Sequence, residues 1–406
     1  MEDRPRSSRA LPHAGGFDDV TGELYAQVFA SLHRSDQRRR AQQYVQGLLS
    51  VQGRKSMRGI AAVVAGESAE QNLHHFISSS TWRWQPVRQA LARYLDRSVA
   101  PLAWVVRSVV IPKAGRHSVG VQERYVPHLG RVVNCQQALG VWLASEEAAC
   151  PVDWRLVLSG DGGRDTPWPR TTSVRGRTGV WTPEACALDS VTGMASTWGI
   201  TRRPVVFDGR EVDAARLAGR LAAAGLSFLA RIDGTTPLAA ADAGPAGGGG
   251  TPVPAQRLVQ SVKRTGRPVG WVDHSGDLHR VNLVATIQVT LPVADPSARA
   301  AALPAPGPRP LLLLAEWNDA RRWPTRLWLT DMAGASPGAL LRLSRLIRRV
   351  DKDFSEVSDH VGMRDFEGRS YEGWNRHTTL ASIAHAASML TAADIRSTPY
   401  AEEKSA

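Results

Sequence analysis

The sequence turns on Trp104-Val-Val-Arg107-Ser108-Val-Val-Ile-Pro-Lys113-Ala-Gly115. This stretch is a continuous apolar run, rich in β-branched residues, interrupted only by a cation and a hydroxyl and closed by proline and glycine. That is the pattern of a strand buried on both faces. Upstream, from Phe17 to about Leu95, the apolar spacing is helical: Leu24, Val28, Phe29 and Leu32 form one series, and Tyr44, Leu48 and Leu49 form another. Arg38-Arg39-Arg40 is placed between these two helices, as a solvated face or a DNA contact. Ser80-Thr81 stands where a capped helix beginning at Trp82 would start.

Downstream, Val119–Tyr125, Val132–Ala144 and Asp153–Leu158 read as further strands joined by short turns, an antiparallel meander in which Asp153 anchors a turn. A helix over Thr182–Trp198 opens on Thr182-Pro183 and stops at Gly199. Pro204–Asp208 is a short buried strand ending in a carboxylate; Asp213–Ala224 is a helix and Ser227–Ile232 a strand. Ala239–Pro254, with Gly247–Gly250, lacks the Lys-Ser/Thr of a phosphate-binding loop and reads as a flexible tip. Leu258–Val293 and Leu311–Leu329 are strand-like, and helices return over Gly338–Val350, Asp351–Val361 and His377–Thr391.

The chain has 406 residues and a formal net charge of +12. Such a surplus of bases favours polyanionic partners through counterion release. Lysine occurs only at 55, 113, 263, 352 and 404, so the charge is carried by arginine, which forks onto phosphate. No apolar run reaches membrane-spanning length, and the first residues lack the apolar core of a signal peptide; the expectation is a cytoplasmic protein. Cys135, Cys150 and Cys186 have no metal-binding spacing and read as inert buried thiols.

Six segments, in order, resemble bacterial insertion-sequence transposases of the DDE superfamily, in the branch with a β-strand insertion before the last acidic helix. They are Leu73–Trp82, Pro112–Val121, Leu129–Gln136, Asp153-Trp-Arg-Leu156, Val205-Val-Phe-Asp208 and Phe366-Glu-Gly-Arg-Ser-Tyr-Glu-Gly-Trp374. The resemblance implies an α/β fold: a ribonuclease-H-like mixed sheet with helices, a β-rich insertion and an N-terminal helical domain. The expected organisation is a disordered tail over 1–16, a helical DNA-binding or dimerisation region over 17–98, the first part of the core over 99–235, the insertion over 236–333, completing helices over 334–395 and a tail over 396–406.

The family chemistry it implies is DNA cleavage and strand transfer. Three carboxylates hold two Mg²⁺ or Mn²⁺ ions that activate the nucleophile and stabilise the leaving oxygen. Double-stranded DNA carrying the element ends is the implied partner, bound by a homodimer on the nucleoid. By alignment the first acidic position, Asp-Asp in the family, falls at Arg107-Ser108. The second is Asp208; the third is Asp351, with Ser358 where a basic residue is expected, and Glu367 is a lesser acidic candidate. Glu123 and Asp96 are the substitutes near the first strand. Lys113, Arg342, Arg345, Arg348 and Arg349 are the candidate DNA contacts, the last four spaced to share one helix face, which could equally be solvated. Trp374 and His377 are placed to brace the last helix. The expectation is a transposase-like DNA-binding protein with impaired catalysis. The alternatives are an active enzyme using a substitute carboxylate, or a regulatory subunit that poisons intact transposases.

Overall fold

The computed structural model describes residues 17–64, 69–126, 130–158, 182–210, 214–241, 251–273, 278–292, 311–318 and 322–397. The expected tail over 1–16, most of the final tail, and the glycine run at 247–250 lie outside them.

Five helices come first: α1 (Phe17–Val28), α2 (Ser35–Ser50), α3 (Met57–Val64), α4 (Ala69–Ser78) and α5 (Trp84–Ser98). The Arg38–Arg40 run lies inside α2 rather than between helices, and Arg38 donates to the Leu32 and His33 carbonyls at the end of the preceding turn. α5 starts two residues later than Ser80-Thr81 implies. Its N-cap is Arg83, which offers no side-chain acceptor, while the Trp82 indole is drawn away to the Phe76 carbonyl.

The sheet begins with β1 (Ala103–Pro112), β2 (Val121–Val126), β3 (Arg131–Ala144) and β4 (Ala149–Leu156). β3 pairs antiparallel with β1, β2 and β4. After α6 (Pro183–Thr197), capped by the Thr182 hydroxyl, come β5 (Val205–Asp208), α7 (Ala214–Ala223) and β6 (Phe228–Ile232). β5 runs parallel to both β1 and β6, which makes the order β3-β1-β5-β6 a ribonuclease-H-like core.

The insertion adds β7 (Pro237–Ala240), β8 (Val253–Pro254), α8 (Ala255–Val262), β9 (Arg267–Asp273), β10 (Leu278–Thr290), β11 (Leu311–Trp317) and β12 (Arg326–Thr330). β12 pairs with β6, so the insertion extends the core sheet. Two expectations are corrected here. Ala239-Ala240 and Val253-Pro254 are strand residues rather than loop, and 255–262 is a helix whose apolar residues Leu258, Val259 and Val262 recur at helical spacing.

α9 (Pro337–Asp353), capped by Ser336, lies across β1, β5 and β6 and reaches β9. It runs on into a wide π-helical turn, Phe354–Ser358, where a separate helix over 351–361 was expected. α10 (Tyr371–Ser397) starts six residues earlier than the apolar pattern shows. It packs between β4 and the helices α1, α2, α4 and α5.

α10 is buried along polar residues, and each finds a partner. His377 takes the Tyr44 hydroxyl on Nδ1 at 2.9 Å and faces the Gly362 carbonyl through Nε2 at 3.0 Å. His385 bridges Ser358 and the Ala149 carbonyl, which accounts for a serine where a base was expected. The centre is Arg88 on α5, 1% exposed. Its guanidinium reaches Asp153 and the Trp154 carbonyl at 2.8 Å, Thr379 at 2.7 Å, Thr378 at 3.0 Å and Asn375 at 3.1 Å. Asp153 therefore sits within β4 as a buried ion-pair partner, not at a turn, and Arg155 and Ser190 also bind it. The three cysteines are buried free thiols.

Replacing Arg88 with Met strands buried acceptors on β4 and α10, and urea unfolding should show a loss of about 3–5 kcal/mol; a loss below about 1 kcal/mol contradicts the hub. Burial pushes His377 and His385 down to about 4. The unfolded chain protonates them near 6.5 while the folded chain does not, so their contribution is intact above that pH and drains away as pH falls towards 4. The urea midpoint should fall between pH 7 and pH 4.5, less steeply in His385→Gln; parallel curves would contradict the assignment.

Candidate active site

Strand pairing sets the geometry. β1 and β5 pair Val106 with Phe207, so the next residues, Arg107 and Asp208, stand at adjacent strand positions. β5 and β6 pair Asp208 with Arg231, and β11 and β12 pair Glu316 with Arg326. Residues in register share a face, and this is the face that α9 covers, because Asp351 and Arg345 of α9 reach down to it. Strand alternation turns Ser108 to the other side, where it accepts from Gln137 at 3.2 Å. Only position 107 concerns the site.

Arg107 Nε donates to Asp351 Oδ1 at 2.9 Å, and its guanidinium lies 4.1 Å from the centre of the Phe354 ring. The π-helical turn brings that ring beneath it. Gly140, opposite Arg107 on β3, leaves room for the Trp142 and Trp154 rings; a Cβ there would lie 2.9–3.0 Å from them.

Asp208 is held by a different set. Arg210 clamps both oxygens, Nε at 2.9 Å and Nη2 at 2.6 Å, and Arg231 approaches to 3.5 Å. Burial raises the Asp208 pKa, but the Arg210 hydrogen bonds and the two positive charges outweigh it, and the carboxyl ends below its ordinary value. The tight turn depends on Gly209, whose amide donates to the Arg231 carbonyl; a Cβ there would come within 2.6 Å of that oxygen.

Further along the row, Glu316 has no exposure and accepts from Arg345 at 2.7 Å, Trp328 at 2.6 Å and Asn282 at 3.1 Å. Glu316, Arg210, Arg231 and Arg326 escaped the sequence reading. The one available signal was a charged residue within, or just before, the apolar runs Leu311–Trp317, Phe228–Ile232 and Leu327–Thr330.

The other candidates lie elsewhere. Glu367 is exposed and pairs with Arg54 at 2.8 Å. Glu123 pairs with Arg116, and Asp96 binds Thr201 and Arg203. Lys113 donates to the Phe366 carbonyl at 2.5 Å, tying the end of β1 to the Phe-Glu-Gly-Arg segment. Asp351 reaches Arg107 on the sheet and not Arg348 or Arg349 of its own helix. Arg342 pairs with Glu146 at 2.7 Å, Arg345 with Glu316, and Arg349 with Asp353 at 3.4 Å. With Arg348 and Lys352 they line an open cleft of about 460 Å³ between α9 and β9, floored by Trp271 and Val272.

The donor set does not fit a divalent cation. A hard cation needs several free oxygen ligands. Here Asp351 is taken by Arg107 and Asp208 by Arg210, and a guanidinium cannot lose its charge to become a ligand. Among the described residues no three His, Cys, Asp or Glu side chains gather as a metal site, and none of the helices is long and apolar enough to cross a membrane.

A family model described as DDE superfamily endonuclease matches residues 27–277, taking in Arg107 and Asp208 and ending before α9. No curated protein matches the chain. With 251 of 406 residues matched, and the strand order of a ribonuclease-H-like core, the chain belongs to the DDE superfamily endonucleases.

Proposed function

We propose that this chain is an insertion-sequence transposase by descent that binds double-stranded DNA without cutting it. DDE nucleases generally work with divalent metals, which spread the charge of an in-line phosphoryl transfer. The carrying observation is the 2.9 Å Arg107–Asp351 pair. It puts a permanent cation beside Asp208 and uses up one of the two acids that the alignment retains. The same pair neutralises a half-exposed carboxylate on α9.

DNA binding survives this change because it rests on different groups. The net charge of +12 supplies the long-range attraction. The α9 cleft is lined by Arg342, Arg345, Arg348, Arg349 and Lys352, with Glu146, Glu316 and Asp353 answering Arg342, Arg345 and Arg349. The basic side chains suit backbone phosphates, which position a duplex without reading its sequence. In this reading the protein acts on the element ends as a homodimer on the nucleoid.

Nicking of labelled duplex DNA bearing the flanking element ends, with Mg²⁺ or Mn²⁺, tests the reading. The native chain should retard the DNA and leave it intact, indistinguishable from Asp208→Ala. An Arg107→Asp/Ser108→Asp variant, which frees Asp351 and restores the first acid, should gain metal-dependent nicking above that background. Native cleavage that vanishes in Asp208→Ala contradicts the proposal.

A further inference from the structure

The charged row facing α9 does not balance. Asp351 is matched by Arg107. Asp208 faces two guanidiniums, and Arg210 makes the close bidentate contact. Glu316 also faces two, and Arg345 takes the close bond at 2.7 Å while Arg326 stays 3.8 Å away. Arg231 and Arg326 are therefore surplus. Each is about one-quarter exposed and carries five N–H donors. Among the described residues, Arg231 makes one long side-chain hydrogen bond, at 3.5 Å, and Arg326 makes none.

They are also neighbours. β6 and β12 pair Arg231 with Trp328, and Arg326 lies two residues from Trp328 on the same strand. That makes the two arginines diagonal neighbours on one face, roughly 7–8 Å apart at their bases, within joint reach of one tetrahedral anion. Burial pulls both guanidiniums below their ordinary pKa range; Asp208 and Glu316 offset part of this, and neighbouring arginines, Arg210 among them, add repulsion to each. The exposed Asp233 offsets Arg231 less than Arg210 and Arg326 oppose it. An incoming anion relieves that cost, because charge-assisted forks to phosphate are the strongest hydrogen bonds a guanidinium makes.

We propose that the sheet end where the superfamily holds metal cations is here an anion site, in which Arg231 and Arg326 bind a phosphate group of nucleic acid directly, without a divalent metal. The inference rests on the DNA-binding reading for its ligand and on the geometry for its place. Continuity favours a phosphate chain over a lone ion: Arg326 lies within the electrostatic reach of Arg345 and Arg348, and both of these line the α9 cleft. A strand following that cleft would bring successive phosphates to the pair.

The test uses the full-length protein in EDTA. Binding of labelled duplex DNA is followed by anisotropy across a salt series, and binding of inorganic pyrophosphate by calorimetry. Both are repeated with Arg326→Gln, with Arg231→Gln/Arg326→Gln and with the charge-keeping Arg231→Lys/Arg326→Lys, after thermal melts show that each variant folds. The double Gln variant should bind DNA roughly 10- to 100-fold more weakly and flatten the log–log salt dependence by about 2. It should also lose pyrophosphate, and the Lys variant should fall between.

Pyrophosphate binding without DNA binding keeps the anion site but overturns nucleic acid as its source. Native DNA binding that the Gln variants leave unchanged, or that requires Mg²⁺, overturns this inference while the DNA-binding reading stands. Absence of both ligands from the native protein overturns both.

Discussion

Charge held between α9 and the sheet has to be compensated inside the protein, and this constraint organises the molecule. Glu316 is wholly buried, so it collects Arg345, Trp328 and Asn282 and thereby locks the insertion strands to α9. Asp351, six residues beyond Arg345 on α9, is answered from the first strand by Arg107. Removing a partner of the buried Glu316 leaves an uncompensated charge, which costs far more than the pair itself contributes, whereas the half-exposed Arg107–Asp351 pair contributes little to stability. The helix is held over the sheet end by these matched charges as well as by its apolar face. The Arg88–Asp153 pair does the same for α5, β4 and α10.

In a metal-dependent DDE site the same compensation problem is solved by divalent cations. Three acids on two strands and a helix repel each other until metals arrive. A guanidinium at position 107 solves it permanently. It supplies positive charge to Asp351, stacks on Phe354 and needs no ligand. The consequence is a folded, preorganised sheet end with inverted polarity, where Arg210, Arg231 and Arg326 outnumber the carboxylates within reach. This surface is the basis of the proposed phosphate site.

Much of this was legible in the sequence, because the core strands are continuous apolar runs with little ambiguity. Trp104–Ile111, Val205–Asp208 and Phe228–Ile232 could hardly be anything but buried strands. Arg107 and Asp351, the positions matched by sequence to the first and third acids, are in contact in the structure. What escaped is what depends on tertiary pairing. Asp153 looks like a turn residue until Arg88, 65 positions away, is seen against it. Leu258, Val259 and Val262 in isolation fit strand or helix, and Glu316 within Leu311–Trp317 carries no local sign that donors from β10, β12 and α9 converge on it. Glu367 kept its motif but turns to Arg54, since a conserved-looking pattern fixes the backbone and not the direction of an exposed carboxylate.

In the proposed reading Arg107 stands in place of the metal-binding function, and Mn²⁺ binding reports on that without any other step. Electron paramagnetic resonance titration with Mn²⁺ should show the native chain and Asp208→Ala leaving the same fraction of the ion free. Arg107→Asp should acquire bound Mn²⁺ that disappears again when Asp208 or Asp351 is also replaced by Ala. Stoichiometric Mn²⁺ on the native chain, lost in Asp208→Ala and Asp351→Ala, would contradict the account.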